Sequence, residues 1–128
     1  MDLIAIFECL CDRTRLRLLH LLLEGPLCVC HFQEVLGAEQ VKVSKHLAYL
    51  RRHRLVVAER AGSRRIYRFP DSPSAALAAN LACLRECAAG DPLLRADARR
   101  LQALRARLGL AAFACAASVP QRRVRSSR

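Results

Sequence analysis

Apolar residues recur along the chain with helical spacing first and with alternating spacing later, and the two periods predict different elements. Residues 1–10 are apolar enough for a short helix. Asp12 stands where an N-cap belongs, and Leu16, Leu18, Leu19, Leu22 and Leu23 then share one helical face. Gly25 and Pro26 stop that helix. A short helix over 29–36 is closed by Gly37, and a longer one runs from 39 or 40 to 53. Two helices joined by a Gly-containing turn form a helix-turn-helix pattern.

The period then changes. Residues 56–60 and 64–69 read as two strands around Gly62, with Ile66 and Val57 facing inward. Pro70 and Pro73 end this hairpin, and a helix over 74–88 follows. Gly90 breaks it, Asp91 caps a last helix, and Pro92 fits that helix's first position. The last helix is expected to end near Gly109. The predicted fold class is mainly α with a small β-hairpin, a winged helix-turn-helix with flanking dimerisation helices. Residues 1–109 form one DNA-binding and dimerisation domain in this reading, and 110–128 a disordered tail carrying Arg122, Arg123, Arg125 and Arg128. Leu77, Leu81 and Leu84, with Leu94, Leu101, Leu104 and Leu108, are expected at the dimer interface.

Charge adds a partner. The 128 residues carry 22 Lys or Arg against 11 Asp or Glu, a net charge of +11, so a polyanion is expected. Residues 26–70 hold nine of the basic residues and three of the acidic ones, which centres the charge on the helix-turn-helix and the hairpin. With Lys42 as reference, Lys45, Tyr49 and Arg52 fall within an arc of roughly 80° on the fourth helix, opposite Val43, Leu47 and Leu50. One face packs and the other enters a major groove. Gln40, Lys42, Ser44, Lys45 and His46 are the candidate groove-facing residues, with Tyr49 and Arg52 behind them. Arg60, Arg64, Arg65 and Arg68 of the hairpin are candidates for the adjacent backbone or minor groove. The expected partner is double-stranded operator DNA.

Seven cysteines supply the remaining chemistry: Cys9, Cys11, Cys28, Cys30, Cys83, Cys87 and Cys115. The first residues lack the basic n-region of a signal peptide, and no run reaches the roughly 18 apolar residues of a membrane span. A cytoplasmic protein with no membrane partner is expected, whose clustered thiols serve as metal ligands or redox sensors. A thiol enzyme is disfavoured, because C-x-x-C spacing and a Gly-rich phosphate loop are both missing. Cys28 and Cys30, two apart, lie about 200° apart on a regular helix and can share an ion only in extended chain or an unwound first turn. Cys83 and Cys87, four apart, face the same way without distortion. His31 is a possible ligand that would tilt the site toward zinc or cadmium, but on a short surface helix it is expected to face solvent.

Pro26-Leu27-Cys28-Val29-Cys30-His31-Phe32, followed by Val43-Ser44-Lys45-His46-Leu47-Ala48-Tyr49-Leu50-Arg51, resembles the ArsR/SmtB family of metal-responsive repressors, and its arsenic-responsive branch most. Cys11-Asp12-Arg13-Thr14-Arg15-Leu16 fits the same family's entry to its second helix. The resemblance covers about residues 3–70. It implies a homodimeric repressor released from its operator by trivalent arsenic (arsenite) or antimony, with no organic cofactor. It also implies that Cys28 and Cys30 supply the first two thiolates of the arsenic motif. The third falls at Gln33, which offers no sulfur. One reading completes the site with Cys83 or Cys87, within or across protomers. A second gives Cys83 and Cys87 the lead. The alternative functions are a thiol redox-sensing or a Cd/Zn-sensing repressor of the same fold.

Overall fold

The computed structural model of the protein describes residues 3–117. The elements run α1 (Leu3–Leu10), α2 (Arg13–Leu22), β1 (Leu27–Cys28), α3 (Val29–Leu36), α4 (Gln40–Arg52), β2 (Val57–Ala61), β3 (Arg64–Arg68), α5 (Ala75–Cys87), a 3₁₀ turn (Ala88–Gly90) and α6 (Pro92–Ala117). Local chemistry sets most boundaries. The Asp12 carboxylate accepts from the Arg15 backbone N–H at 3.0 Å and starts α2. The Ser74 hydroxyl does the same for α5 through the Leu77 N–H. Asp91 accepts from both Leu93 and Leu94 at the head of α6. Gly37 takes a left-handed conformation, φ 62°, and closes α3.

The sheet has three strands in the order β1-β3-β2, all antiparallel. The hairpin β2–β3 is the expected wing. β1 is an addition to the predicted fold: Leu27 pairs with Tyr67 and Cys28 with Ile66, so the wing is stitched to the segment just ahead of α3. The core gathers α2, α3 and α4 around Phe32, Leu18, Leu19, Val43, Leu47 and Leu50, each with no exposed surface. Burying side chains of this kind contributes roughly 1.5–3 kcal/mol each. α6 packs along α2 and α3 and holds the helix-turn-helix from behind. Arg17 of α2 and the buried Asp97 of α6 form a two-pronged ion pair at 2.8 and 2.9 Å.

Three expectations are corrected. The leucine stripes of α5 and α6 are not surface stripes: Leu77, Leu81, Leu84, Leu94, Leu101 and Leu104 are all buried within the single chain. Leu108 alone of that set is exposed. The large exposed apolar side chains of the N-terminal region are instead Leu3, Ile4 and Phe7 of α1, the helix that packs beside α5. Val56, not Val57, is the buried valine at the head of the wing. Finally, the chain does not leave helix at residue 110. Gly109 breaks α6 with φ 72° and ψ −178°, a conformation that suits glycine, and helical backbone resumes to Ala117. Residues 118–128, with Arg122, Arg123, Arg125 and Arg128, lie outside the described residues.

Candidate nucleic-acid and effector sites

The amphipathic pattern of α4 orients its charge. Val43, Leu47 and Leu50 anchor one side in the core, so Gln40, Lys42, Lys45 and Arg52 are exposed on the other. Ser44, His46 and Tyr49 are half-buried at the margin. Tyr49 is a platform more than a probe: the Arg15 guanidinium stacks 4.2 Å above its ring and the His53 ring lies 4.5 Å away. Burial depresses the His46 pKa, and the Lys42 and Lys45 charges press it the same way, although Asp12 opposes them.

In the wing, Arg60, Arg64 and Arg65 are exposed. Arg60 stands directly opposite Arg65 in the strand register. Like charges facing across a ladder are mutually destabilising in isolation. An anion laid over the hairpin relieves that repulsion. Arg68 behaves differently from its neighbours. It donates to Glu59 at 2.5 Å, to Asp71 at 3.2 Å and to the Phe69 carbonyl at 3.0 Å, and little of its side chain is exposed. Its charge is spent inside the hairpin, so the structure separates it from the other three wing arginines.

Two residues outside the DNA-contact candidates of the sequence join this surface. Arg15 lines a shallow groove with Lys42, Lys45, His46 and Arg52, and it donates to the carbonyls of Cys9 and Glu8. Its helical position beside the Asp12 cap concealed this, because only the α2–α4 packing brings it there. Val41 is 71% exposed between Gln40 and Lys42. An apolar side chain left in water on an otherwise charged face was the available signal.

Four of the thiols fall into two pairs, while Cys9 is buried in the core and Cys11 is exposed. Cys28 lies in β1 with φ −91° and ψ 165°, and it is also the N-cap of α3. Cys30 follows in the first helical turn. Because Cys28 is extended, the two side chains converge without unwinding the helix, and they are joined as a disulfide with Cα atoms 5.5 Å apart. Cys28 is buried against Ile66 and Ala61 of the wing, whereas Cys30 is exposed.

His31 is buried, not solvent-facing as expected: 3% of it is exposed. It occupies the third position of α3, from which a side chain reaches back to the N-cap. Its Nδ1 accepts the Cys28 backbone N–H at 3.2 Å and lies 3.4 Å from the Cys28 sulfur. Accepting that N–H requires a lone pair on Nδ1, so the ring proton of the neutral imidazole belongs to Nε2. Burial lowers the His31 pKa, and the Arg64 and Arg105 charges add to the effect.

Cys83 and Cys87 sit on the exposed side of α5 with sulfurs 4.0 Å apart. The hydrogen bond between the two thiols raises the Cys87 pKa. Asn80, on the same stripe, is turned to its own helix and donates to the Ala76 carbonyl. Among the described residues, Cys28, Cys30 and His31 form the one metal-competent cluster of three, with ligand atoms within 4.8 Å of one another. Within one chain the structure does not bring Cys83 or Cys87 into it. Among the described residues, no helix is long and apolar enough to cross a membrane.

A winged helix-turn-helix with an exposed basic recognition helix, here with paired thiols where α3 begins, defines the class of DNA-binding regulators. Comparison with known proteins agrees. The bacterial regulatory protein family described as the arsR family matches residues 12–57. The arsenic resistance transcriptional regulator ArsR1 of Pseudomonas putida is 41% identical over 70 residues, covering 53% of this chain and 55% of the relative. The arsenical resistance operon repressor of Escherichia coli is 43% identical over 60 residues, covering 46% and 51%. The chain thus spans about half the length of these curated relatives. The crystal structure of the AntR antimony-specific transcriptional repressor is 34% identical, with a TM-score of 0.55, covering 69% of this chain and 80% of that one. The chain belongs to the ArsR family of bacterial regulatory proteins. The relatives named here are transcriptional regulators and not enzymes.

Proposed function

We propose that this protein is a homodimeric repressor that binds operator DNA and is released when trivalent arsenic or antimony binds its thiols. One observation carries the reading: Cys28 and Cys30 converge at the junction of β1 and α3, in a chain of the ArsR family. Gln40, Lys42, Ser44 and Lys45 read the major groove, while Arg52, Arg60, Arg64 and Arg65 hold phosphates. One recognition helix reads only a half-site, so two copies are needed. The exposed Leu3, Ile4 and Phe7 of α1, beside α5, supply the apolar surface for that pairing.

Arsenite acts on the reduced dithiol. As(OH)₃ forms three As–S bonds with three thiols and releases three waters. Cys28 and Cys30 give two sulfurs, and Cys83 or Cys87 gives the third across the dimer. The position of Cys28 supports coupling to DNA, since its strand pairs with β3 of the wing and its helix leads into α4. A hundredfold loss of DNA affinity requires about 2.7 kcal/mol of coupling, an ordinary magnitude.

The test is a fluorescence-anisotropy release assay on a labelled duplex selected for binding by the chain. Reduced parent protein is expected to leave the duplex on adding arsenite or antimonite. Cys28→Ser and Cys30→Ser are expected to stay bound. If both respond like the parent, the assignment is wrong. A second reading, oxidation of two thiols with peroxide leaving as water, is favoured by the Cys28–Cys30 disulfide. Release by peroxide, reversed by dithiothreitol with arsenite inert, selects it.

A further inference from the structure

We infer that Val41 reads the 5-methyl group of a thymine in the major groove, so that the operator carries an A·T pair at one fixed step of the half-site that α4 reads. It rests on the reading of α4 as the recognition helix and adds to it a base preference. Val41 is 71% exposed, more than any other large apolar side chain among the described residues. Leu3, Ile4 and Phe7 are also exposed, but they sit together on α1, whereas Val41 stands among the charged residues of α4.

Helical geometry puts this side chain on the outermost line of the helix. At about 100° per residue, Val41, Lys45 and Arg52 fall within an arc of roughly 40°. Val41 lies within about 30° of the direction opposite the buried Val43, Leu47 and Leu50. It is the second residue of α4, and helical Cα–Cβ bonds tilt toward the N-terminus, the end that contacts base edges. Arg15, Lys45, Tyr49 and Arg52 line the same shallow groove as Val41. The cations of that groove suit phosphates. Valine forms no hydrogen bond, and the one methyl group that the major groove displays belongs to thymine.

Folding gives no reason for the residue. Valine is a weaker helix former than alanine, because its branched side chain is confined to one χ1 well in a helix. At 71% exposure Val41 gains little from burial in the free chain. The same confinement suits recognition, since a side chain already fixed at χ1 loses little freedom on contact. A methyl contact that excludes water then favours thymine over cytosine, which carries only hydrogen at that carbon.

The experiment uses the full chain, reduced, and a labelled duplex selected for binding by it. Each thymine is replaced in turn by deoxyuridine, which keeps the base pairing and lacks only the methyl. Fluorescence anisotropy gives the affinity of the parent and of Val41→Ala for every duplex. At one thymine of a half-site, loss of the methyl is expected to weaken the parent about fourfold, the weight of one buried methylene-sized group. Val41→Ala is expected to bind the all-thymine duplex about fourfold more weakly and to ignore that replacement. Its slope of log affinity against log salt should equal the parent's, because no charge is lost. Its thermal midpoint should not fall, because alanine is the better helix former. Arg52→Ala, which removes a phosphate contact, should weaken both duplexes alike and keep the methyl effect. The proposal is overturned if no thymine methyl matters to the parent. It is overturned equally if the sensitive thymine stays as sensitive in Val41→Ala, as it would where Val41 packs on another protein chain. Failure to bind any duplex at low salt overturns the DNA reading and the thymine contact with it, whereas binding that ignores every methyl overturns the thymine contact alone.

Discussion

The Arg17–Asp97 pair offers a quantitative test of what holds the reading module to its support. Asp97 has no exposed surface, and the Arg17 side chain is 16% exposed. Two parallel N–H···O bonds join them, and Arg100 approaches the same carboxylate at 3.5 Å. The hydrogen bond to Asp97 raises the pKa of the guanidinium further. Asp97→Ala removes the carboxylate and leaves Arg17 charged and largely dehydrated between α2 and α6. Stranding one member of such a pair costs about 3–5 kcal/mol. A domain of this size holds roughly 5–15 kcal/mol in all. The midpoint of thermal unfolding is therefore expected to fall by more than about 12 °C, at about 4 °C or more per kcal/mol. Arg17→Met combined with Asp97→Leu removes both charges and is expected to recover most of the loss, because apolar replacement of a buried pair is often neutral or stabilising. Urea unfolding of the parent, Arg17→Met, Asp97→Leu and the double variant, at one fixed protein concentration, closes the cycle. A loss under about 1 kcal/mol in Asp97→Ala, the range of an exposed pair, would refute the reasoning.

Two further outcomes are expected. Burial depresses the pKa values of His20, His31 and His46, so the unfolded chain binds protons that the folded chain does not. Stability is then full above the ordinary histidine value of about 6.5 and is lost as pH falls below it. Urea midpoints measured from pH 8 to 5 should show that acid limb, and His20→Asn, whose Nδ1 has no hydrogen bond to lose, should flatten it. In the wing, Arg64→Ala and Arg65→Ala should each lower the slope of log affinity against log salt by about 0.9 for one lost phosphate contact. Arg68→Ala should leave that slope unchanged and lower stability instead, since its partners are Glu59 and Asp71. Equal slopes for all three variants would contradict the separation of Arg68 from its neighbours.

Much of this fold is legible in the sequence because its boundaries are chemical. Asp12, Gly37, Ser74 and Asp91 each mark an element end, and Gly109 a break within α6, by a hydrogen bond or a backbone angle that only a few residues allow. Periodicity separated the two sides of α4 for the same local reason. It misled for α5 and α6, because a stripe of leucines shows that a face is covered and does not show by what. The chain itself buries Leu77, Leu81, Leu101 and Leu104, and it leaves Leu3, Ile4 and Phe7 outside. His31 was misplaced because polarity outweighed position. A side chain at the third position of a helix reaches back to the cap, and imidazole can accept there as glutamate does.

The thiol pair shows most clearly what local reading omits. On a helix, two cysteines two apart diverge, so the sequence makes their convergence a distortion. Cys28 is not helical. Its partner in the ladder is Ile66, thirty-eight positions along the chain, and that pairing fixes it in extended backbone before the helix begins. A two-residue strand has no periodicity, and nothing near Leu27 announces it. The consequence reaches function. The residue that aims a sulfur toward Cys30 and His31 is also the residue that ties the wing to the reading helices. Any ligand that repositions that sulfur acts on β3 and α3 together; β3 belongs to the wing and α3 packs on α4, the two elements that carry the proposed DNA contact.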